Sequence, residues 1–293
     1  MNAARAGLRV LSDPSGTLSR VRRYLALDLE TVPDEELVAA VDGEPSRPYP
    51  DQLGRLLAAR RAQSGGRSDF LPIPYHRPVA ACALDATERD GAIVVTDVAC
   101  WTDRREPEPA FLEWVWERLA SRTIVTFHGK GFDLPVLELR SLKLGLSVPS
   151  WFAAARQGAP EDHHDLFELL SNGGAAPSAP LDLYAKLVGL PGKESVAGKD
   201  VSVLYAQGAL ERIAGYCMSD VVQTWLLYLR FRLLAGTITP AGYVRSIAAC
   251  REDLPALFAE RLEPAARAQL TGFLDRCASF FDEVPALPLP RTG

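Results

Sequence analysis

Apolar and polar positions alternate without a break over residues 24–31. Leu25, Leu27 and Leu29 fall on one face and Ala26, Asp28 and Glu30 on the other, which is the period of a β-strand. Residues 79–85 and 92–101 are rich in small and β-branched side chains and are joined across Arg89-Asp90-Gly91, whose Asp-Gly pair favours a tight hairpin. With the first strand they predict an antiparallel meander. Over 109–120 the period changes, and Phe111, Leu112, Val115, Trp116 and Leu119 mark one face of a helix. A short apolar run at 123–127 has strand character and ends in His128-Gly129-Lys130-Gly131-Phe132-Asp133. Leu134, Leu137 and Leu142 then resume helical spacing through residue 144.

Three strands, a helix, a fourth strand and another helix predict an α/β protein of ribonuclease-H-like type, a mixed sheet flanked by helices. The pattern weakens over 147–180, where Asp165-Leu166-Phe167-Glu168-Leu169-Leu170 reads as a short helical turn. Residues 181–190 form a short helix, followed by a turn and a polar loop to Asp200. The longest helical pattern covers 209–234 and closes on Gly236 at a C′ position. Two or three further amphipathic helices follow over 239–279, then a proline-rich tail. The expected organisation is a flexible arm (1–19), one catalytic domain (20–236) and a C-terminal helical extension (237–293). Within the domain, 34–76 is rich in Pro, Arg and Gly and reads as an insertion over one rim, with a helical patch near 52–61.

Composition narrows the classes. A hydrophobic content of 47% over 293 residues supports a sizeable core. A net charge of −5 argues against holding long nucleic acid on a broad basic face, although local basic residues can still guide a strand end. The cysteines (Cys82, Cys100, Cys217, Cys250, Cys277) are scattered and lack a CxxC pair, which fits a reducing compartment and disfavours a zinc site or disulfide scaffold. No signal-peptide run occupies residues 1–23 and no stretch approaches membrane-helix length, so a soluble, cytoplasmic protein with no membrane partner is expected.

The candidate chemistry is acidic. Asp28 and Glu30, side by side on one strand face, repel each other and invite a hard divalent cation between them. The alternative is a strand fraying into solvent, with Glu30 capping a turn. Asp133 precedes Pro135 at a helix start, where it either caps the helix or joins a site whose glycines admit a ligand. Tyr216 and Asp220 lie one turn apart on the long helix, either as a structural hydrogen-bonded pair or as part of the same site. His163-His164-Asp165 is a poor metal site because adjacent side chains diverge; Asp165 fits better as an acid supporting the site from behind. Gly189-Leu190-Pro191-Gly192-Lys193-Glu194 lacks phosphate-loop spacing.

Taken together and in order, Asp28-Leu29-Glu30-Thr31-Val32-Pro33-Asp34, Tyr75-His76-Arg77, the 129–137 motif, His164-Asp165-Leu166, Leu190-Pro191-Gly192-Lys193 and Tyr216-Cys217-x-x-Asp220-Val221 form one pattern. It resembles the tyrosine-bearing branch of the DEDD superfamily of 3′-5′ exonucleases, and in particular the predicted bacterial exonucleases related to the exonuclease domain of family-B DNA polymerases. The resemblance implies that Asp28, Glu30, Asp133 and Asp220 bind two divalent ions, Mg²⁺ or Mn²⁺, and that Tyr216 orients the attacking water. A phenol titrating near about 10 is a reluctant base. The implied substrate is the 3′ end of single-stranded DNA or RNA. Thr31 and Phe132 become candidates for the 3′ hydroxyl and the terminal base, Gly129 for close backbone approach, and Lys130, Lys193 and Lys199 for phosphates. His128 stands where related motifs usually carry asparagine. A catalytically silent binding scaffold and a hydrolase of short oligoribonucleotides are the competing functions.

Overall fold

Leu25, Leu27 and Leu29 do share one face of a strand, and that strand is the centre of the molecule. The computed structural model describes residues 21–154, 163–192 and 198–284. The expected arm and proline-rich tail lie outside them. Strand β1 (Arg23–Pro33) leads into α1 (Glu35–Asp42), α2 (Tyr49–Gln63), a short 3-10 turn (Ile73–Tyr75) and β2 (His76–Arg89). Next come β3 (Ala92–Thr102), α3 (Glu108–Leu119), β4 (Thr123–Thr126), α4 (Asp133–Leu144) and α5 (Pro149–Ala154). Strand β5 (His163–Asp165) precedes α6 (Leu166–Leu170), α7 (Leu181–Leu187), α8 (Gly198–Ala206) and the long α9 (Leu210–Leu234). The described chain ends with α10 (Pro240–Arg261), α11 (Pro264–Arg276) and α12 (Ala278–Glu283).

The sheet runs β3-β2-β1-β4-β5. β1, β2 and β3 are antiparallel neighbours, whereas β4 is parallel to β1 and β5 parallel to β4. This is the expected mixed sheet of a ribonuclease-H-like fold. The β2–β3 hairpin turns at Asp90 (φ 50°) and Gly91 (φ 72°), both left-handed as a type I′ turn requires. Helices cover both faces. The Leu25-Leu27-Leu29 face packs on α3 and α4 through Phe111, Leu112, Val115, Leu134 and Leu137. Tyr24 and Ala26, on the opposite face, pack among Val221, Val222, Trp225 and Tyr228 of α9. The α9 stretch from Asp220 to Leu229 is buried on every side, as a helix at the centre of a core must be. Ile247, Leu254, Leu270 and Phe280 of α10–α12 belong to that same core.

Both ends of the α9 contact with β1 are pinned. The buried Arg232 guanidinium donates to the hydroxyls of Tyr24 (2.7 Å) and Tyr228 (3.3 Å) and to the Thr237 carbonyl (2.6 Å). About four turns earlier, the Cys217 thiol donates to the Asp28 carbonyl at 3.2 Å. Helix α9 therefore runs antiparallel to β1, with its N-terminal half over the acidic end of the strand.

Helices α1, α5 and α8, strand β5 and the 3-10 turn at Ile73–Tyr75 were not expected from the pattern. Helix α1 is short but strongly anchored: Asp34 caps it by accepting from the Leu37 N–H (3.2 Å) and pairs with Arg140 and Lys143 of α4. Burial opposes ionisation of Asp34, yet hydrogen bonds from Lys143 and Arg140 outweigh it and hold the carboxyl down at about 2. Strand β5 has only three residues, and α8 follows what reads as a polar loop. Among the described residues, no helix is long and apolar enough to cross a membrane.

On β5, burial pushes the His163 imidazole down to about 3, with Lys130 and His164 adding to the effect. The ring is neutral in the folded protein, whereas an unfolded imidazole takes a proton near its ordinary 6.5. Its contribution to stability is therefore fully present above about 6.5 and is lost as pH falls toward 3. Asp34 acts only lower, from its ordinary 3.8 toward 2. Circular dichroism melts should thus show a Tm that declines between pH 7 and pH 4.5, and a His163→Gln variant with a shallower decline. Parallel declines in the two proteins would contradict this assignment.

Candidate active site

Strand β4 stops at Thr126 and pairs with β1 only from Tyr24 to Ala26. Beyond Ala26 the β4 side of β1 is left without a strand partner. The chain instead turns through residues 127–132 and re-enters as α4, whose first residue reaches back: Asp133 Oδ1 accepts the Leu29 N–H at 2.9 Å. The carboxylate takes the place of the missing strand carbonyl, and it holds the one residue that separates Asp28 from Glu30.

The returning loop is itself tightly specified. Asp165, buried at the end of β5, accepts from the N–H groups of His128 (2.7 Å), Lys130 (2.9 Å) and Phe167 (3.0 Å). His128 adopts a left-handed φ of 68°. Gly129 is required by contact, since a Cβ there would lie 2.5 Å from the Thr126 side chain. Asp165, read from the sequence as an acid supporting the site from behind, holds the loop that leads into Asp133. Its neighbours diverge as adjacent strand residues should, His163 toward the Thr126 hydroxyl (2.9 Å) and His164 toward Tyr228 (2.7 Å).

On the α9 side of β1, oxygens from Asp28, Glu30 and Asp220 all lie within 4.8 Å of one another. Asp28 and Glu30 are half-buried and Asp220 is buried, with Gln223 Nε2 3.5 Å from its Oδ1. At 4.8 Å, each fully ionised pair repels by about 3 kcal/mol at an effective dielectric near 20. A donor set made only of carboxylate oxygens suits a hard divalent cation and offers nothing to a soft one. The nearby Cys217 thiol is pushed well up in pKa by burial and donates to the Asp28 carbonyl, so it acts as a strut. Although the cysteines are scattered in sequence, Cys82 and Cys100 face each other across β2 and β3 (Sγ–Sγ 2.6 Å), and both thiols lie against the Ala214 carbonyl of α9.

The strand does not fray at Asp28; it continues to Pro33 beyond a bulge between Glu30 and Thr31. The bulge turns Thr31 toward His76, with Thr31 Oγ1 2.8 Å from Nδ1 and the Leu71 carbonyl 3.1 Å from Nε2. A carbonyl only accepts, so Nε2 carries the proton. Burial lowers the His76 pKa, which keeps the ring neutral and leaves Nδ1 to accept the Thr31 hydroxyl proton. The Thr31 hydroxyl thus donates to His76. Phe132 stands edge-on to the same imidazole (4.9 Å, 81°). His76 was visible in the sequence motif, but a separation of 45 positions along the chain hid its link to Thr31.

Among the described residues, the acidic group that could hold a metal contains three of the four expected ligands; Asp133 stands apart from it, bonded to Leu29. Tyr216 is half-buried among Val32, Val79 and Leu204, one turn before Asp220. His128 is exposed, its ring 4.3 Å from Phe167, and Lys130 is paired with Glu168 at 2.7 Å. Lys193 and the Lys199 side chain lie outside the described residues.

A family of predicted 3′-5′ exonucleases related to the exonuclease domain of PolB matches residues 68–277. The chain belongs to this family. A DNA polymerase of Pyrococcus glycovorans is 28% identical over 173 residues, which cover 50% of this chain and 22% of the polymerase. The chain therefore spans well under a third of that relative's length. The PolB-related match contains Asp133, Tyr216 and Asp220 but begins after β1. It is the folded chain that carries Asp28 and Glu30 to Asp220.

Replacing Asp220 by Asn tests the carboxylate group directly. In chelator the variant should melt no lower than wild type, because like charge has been removed. With Mn²⁺ at about 100 times its Kd, wild type should gain about 2.7 kcal/mol, roughly 5 °C or more in Tm, and Asp220→Asn should lose that gain. A full Mn²⁺ shift in the variant would contradict the assignment.

Proposed function

We propose that this protein is a metal-dependent 3′-5′ exonuclease that hydrolyses phosphodiester bonds at the 3′ ends of single-stranded nucleic acid and releases nucleoside 5′-monophosphates. The observation that carries this reading is the convergence of Asp28, Glu30 and Asp220, within a PolB-related exonuclease family, on the part of β1 that runs beyond its pairing with β4. The group is suited to divalent ions, Mg²⁺ or Mn²⁺, and Asp133, which holds Leu29 from the β4 edge of the same strand, is the proposed fourth ligand of a two-ion site. Such ions, when bound, supply acidification of the attacking water and neutralisation of charge on the transferring phosphate and the leaving oxygen.

The chain's own residues supply position. Asp133 holds the Leu29 peptide and so fixes the spacing of Asp28 and Glu30. Tyr216 stands one helical turn from Asp220, where its hydroxyl can orient a water for in-line attack. Thr31, its proton committed to His76, presents an acceptor suited to a terminal 3′ hydroxyl. Phe132 offers an aromatic ring to the last base, and Gly129, packed against Thr126, sets the course of the loop that carries it. A silent scaffold would have no use for clustered like charge, which favours catalysis over the binding-only reading.

The test uses 5′-labelled single-stranded DNA and RNA with Mg²⁺ or Mn²⁺. Wild type should give a ladder shortening from the 3′ end, Asp220→Ala should abolish it, and Tyr216→Phe should slow it by roughly 10²-fold. Nicking of a circular single strand, or shortening that persists in chelator, would overturn the proposal.

A further inference from the structure

The segment between α2 and β2 exposes one large aromatic ring beside the site. Phe70 is 54% exposed, yet its position is fixed. Its carbonyl accepts from Arg60 Nε (3.0 Å) and its N–H donates to Ser68 Oγ (3.1 Å). One face of the ring lies on His76, with centroids 4.8 Å apart and planes 29° from parallel. Phe132 closes the inner side, 5.8 Å from Phe70 and 4.9 Å from His76. The three rings thus form a compact cluster with Phe70 on its solvent side, and His76 ties that cluster to Thr31, the residue after Glu30.

The neighbouring charge has the sign that a phosphate backbone needs. Residues 52–67 contain Arg55, Arg60, Arg61 and Arg67 and no acidic side chain, in a chain whose net charge is −5. Arg61 and Arg67 are exposed, whereas Arg55 pairs with Asp42 at 3.4 Å and the acidic Asp51 and Asp69 flank the run. A preset aromatic face combined with local positive charge is the pairing that holds single strands without regard to sequence, since every base has a face to stack.

We propose that Phe70 is a stacking platform for a base upstream of the 3′-terminal nucleotide, continued inward by His76 and Phe132 and flanked by the arginines of the α2 end, so that the 34–76 insertion guides a single strand into the site. The proposal rests on the exonuclease reading and extends it to how the strand is held. His76 acts here as a positioning residue for both Thr31 and Phe70.

Fluorescence anisotropy with a 5′-fluorescein oligothymidylate, read in chelator, tests it without reference to cleavage. Phe70→Ala should bind about tenfold more weakly than wild type, Phe70→Trp should restore affinity, and Leu234→Ala, at an exposed helix end, should match wild type. Melting curves taken alongside should be unchanged for Phe70→Ala, because the ring is exposed. Equal affinity of Phe70→Ala and wild type, or no measurable binding by wild type, overturns the platform. The two readings fail separately. A wild type that shortens strands while Phe70→Ala binds normally sinks only the platform, whereas a wild type that binds through Phe70 but shortens nothing sinks only the nuclease.

Discussion

The register of α9 against β1 is the constraint on which the site depends. Asp28 and Glu30 come from a strand and Asp220 from a helix 190 residues later, and nothing local brings them together. Arg232 fixes one end of the contact through Tyr24 and Tyr228, and Cys217 fixes the other through the Asp28 carbonyl. Between them, apolar side chains of α9 fill the space over Tyr24 and Ala26. A shift of one helical turn, about 5.4 Å, would carry Asp220 away from the strand pair. The same contact buries a guanidinium, which the fold tolerates because its hydrogen bonds to Tyr24, Tyr228 and Thr237 stay intact.

A second device acts across the sheet. Where β4 ends early, the chain exchanges backbone pairing for side-chain pairing: Asp133 takes the Leu29 N–H, and Asp165 gathers three backbone donors from the loop and α6. Carboxylates thus hold the backbone along the β4 edge of β1 while carboxylates of β1 and α9 face each other over the face that α9 covers. The strained His128 and the obligatory Gly129 lie in that loop, where a sharp change of direction must fit between Thr126 and α4.

Much of this was legible in the sequence because it is written in short-range periods. The alternation over 24–31, the Asp90-Gly91 turn and the helical spacing of α3, α4 and α9 all reappear in the structure. What escaped is what short-range pattern cannot carry. Strand β5 has three residues, too few for a period, and exists because β4 offers it an edge. Helix α1 owes its place to Asp34 meeting Arg140 and Lys143, more than a hundred residues away. The bulge after Glu30, which keeps β1 running and turns Thr31 to His76, has no residue signature. The helices after Gly236 read as an extension, yet their apolar faces belong to the core that holds α9 in place.

The most direct test of the account is anomalous diffraction at the manganese edge from crystals grown with MnCl₂. It predicts manganese between the carboxylates of Asp28, Glu30 and Asp220. Manganese bound elsewhere on the molecule, with those three side chains free of it, would contradict the account.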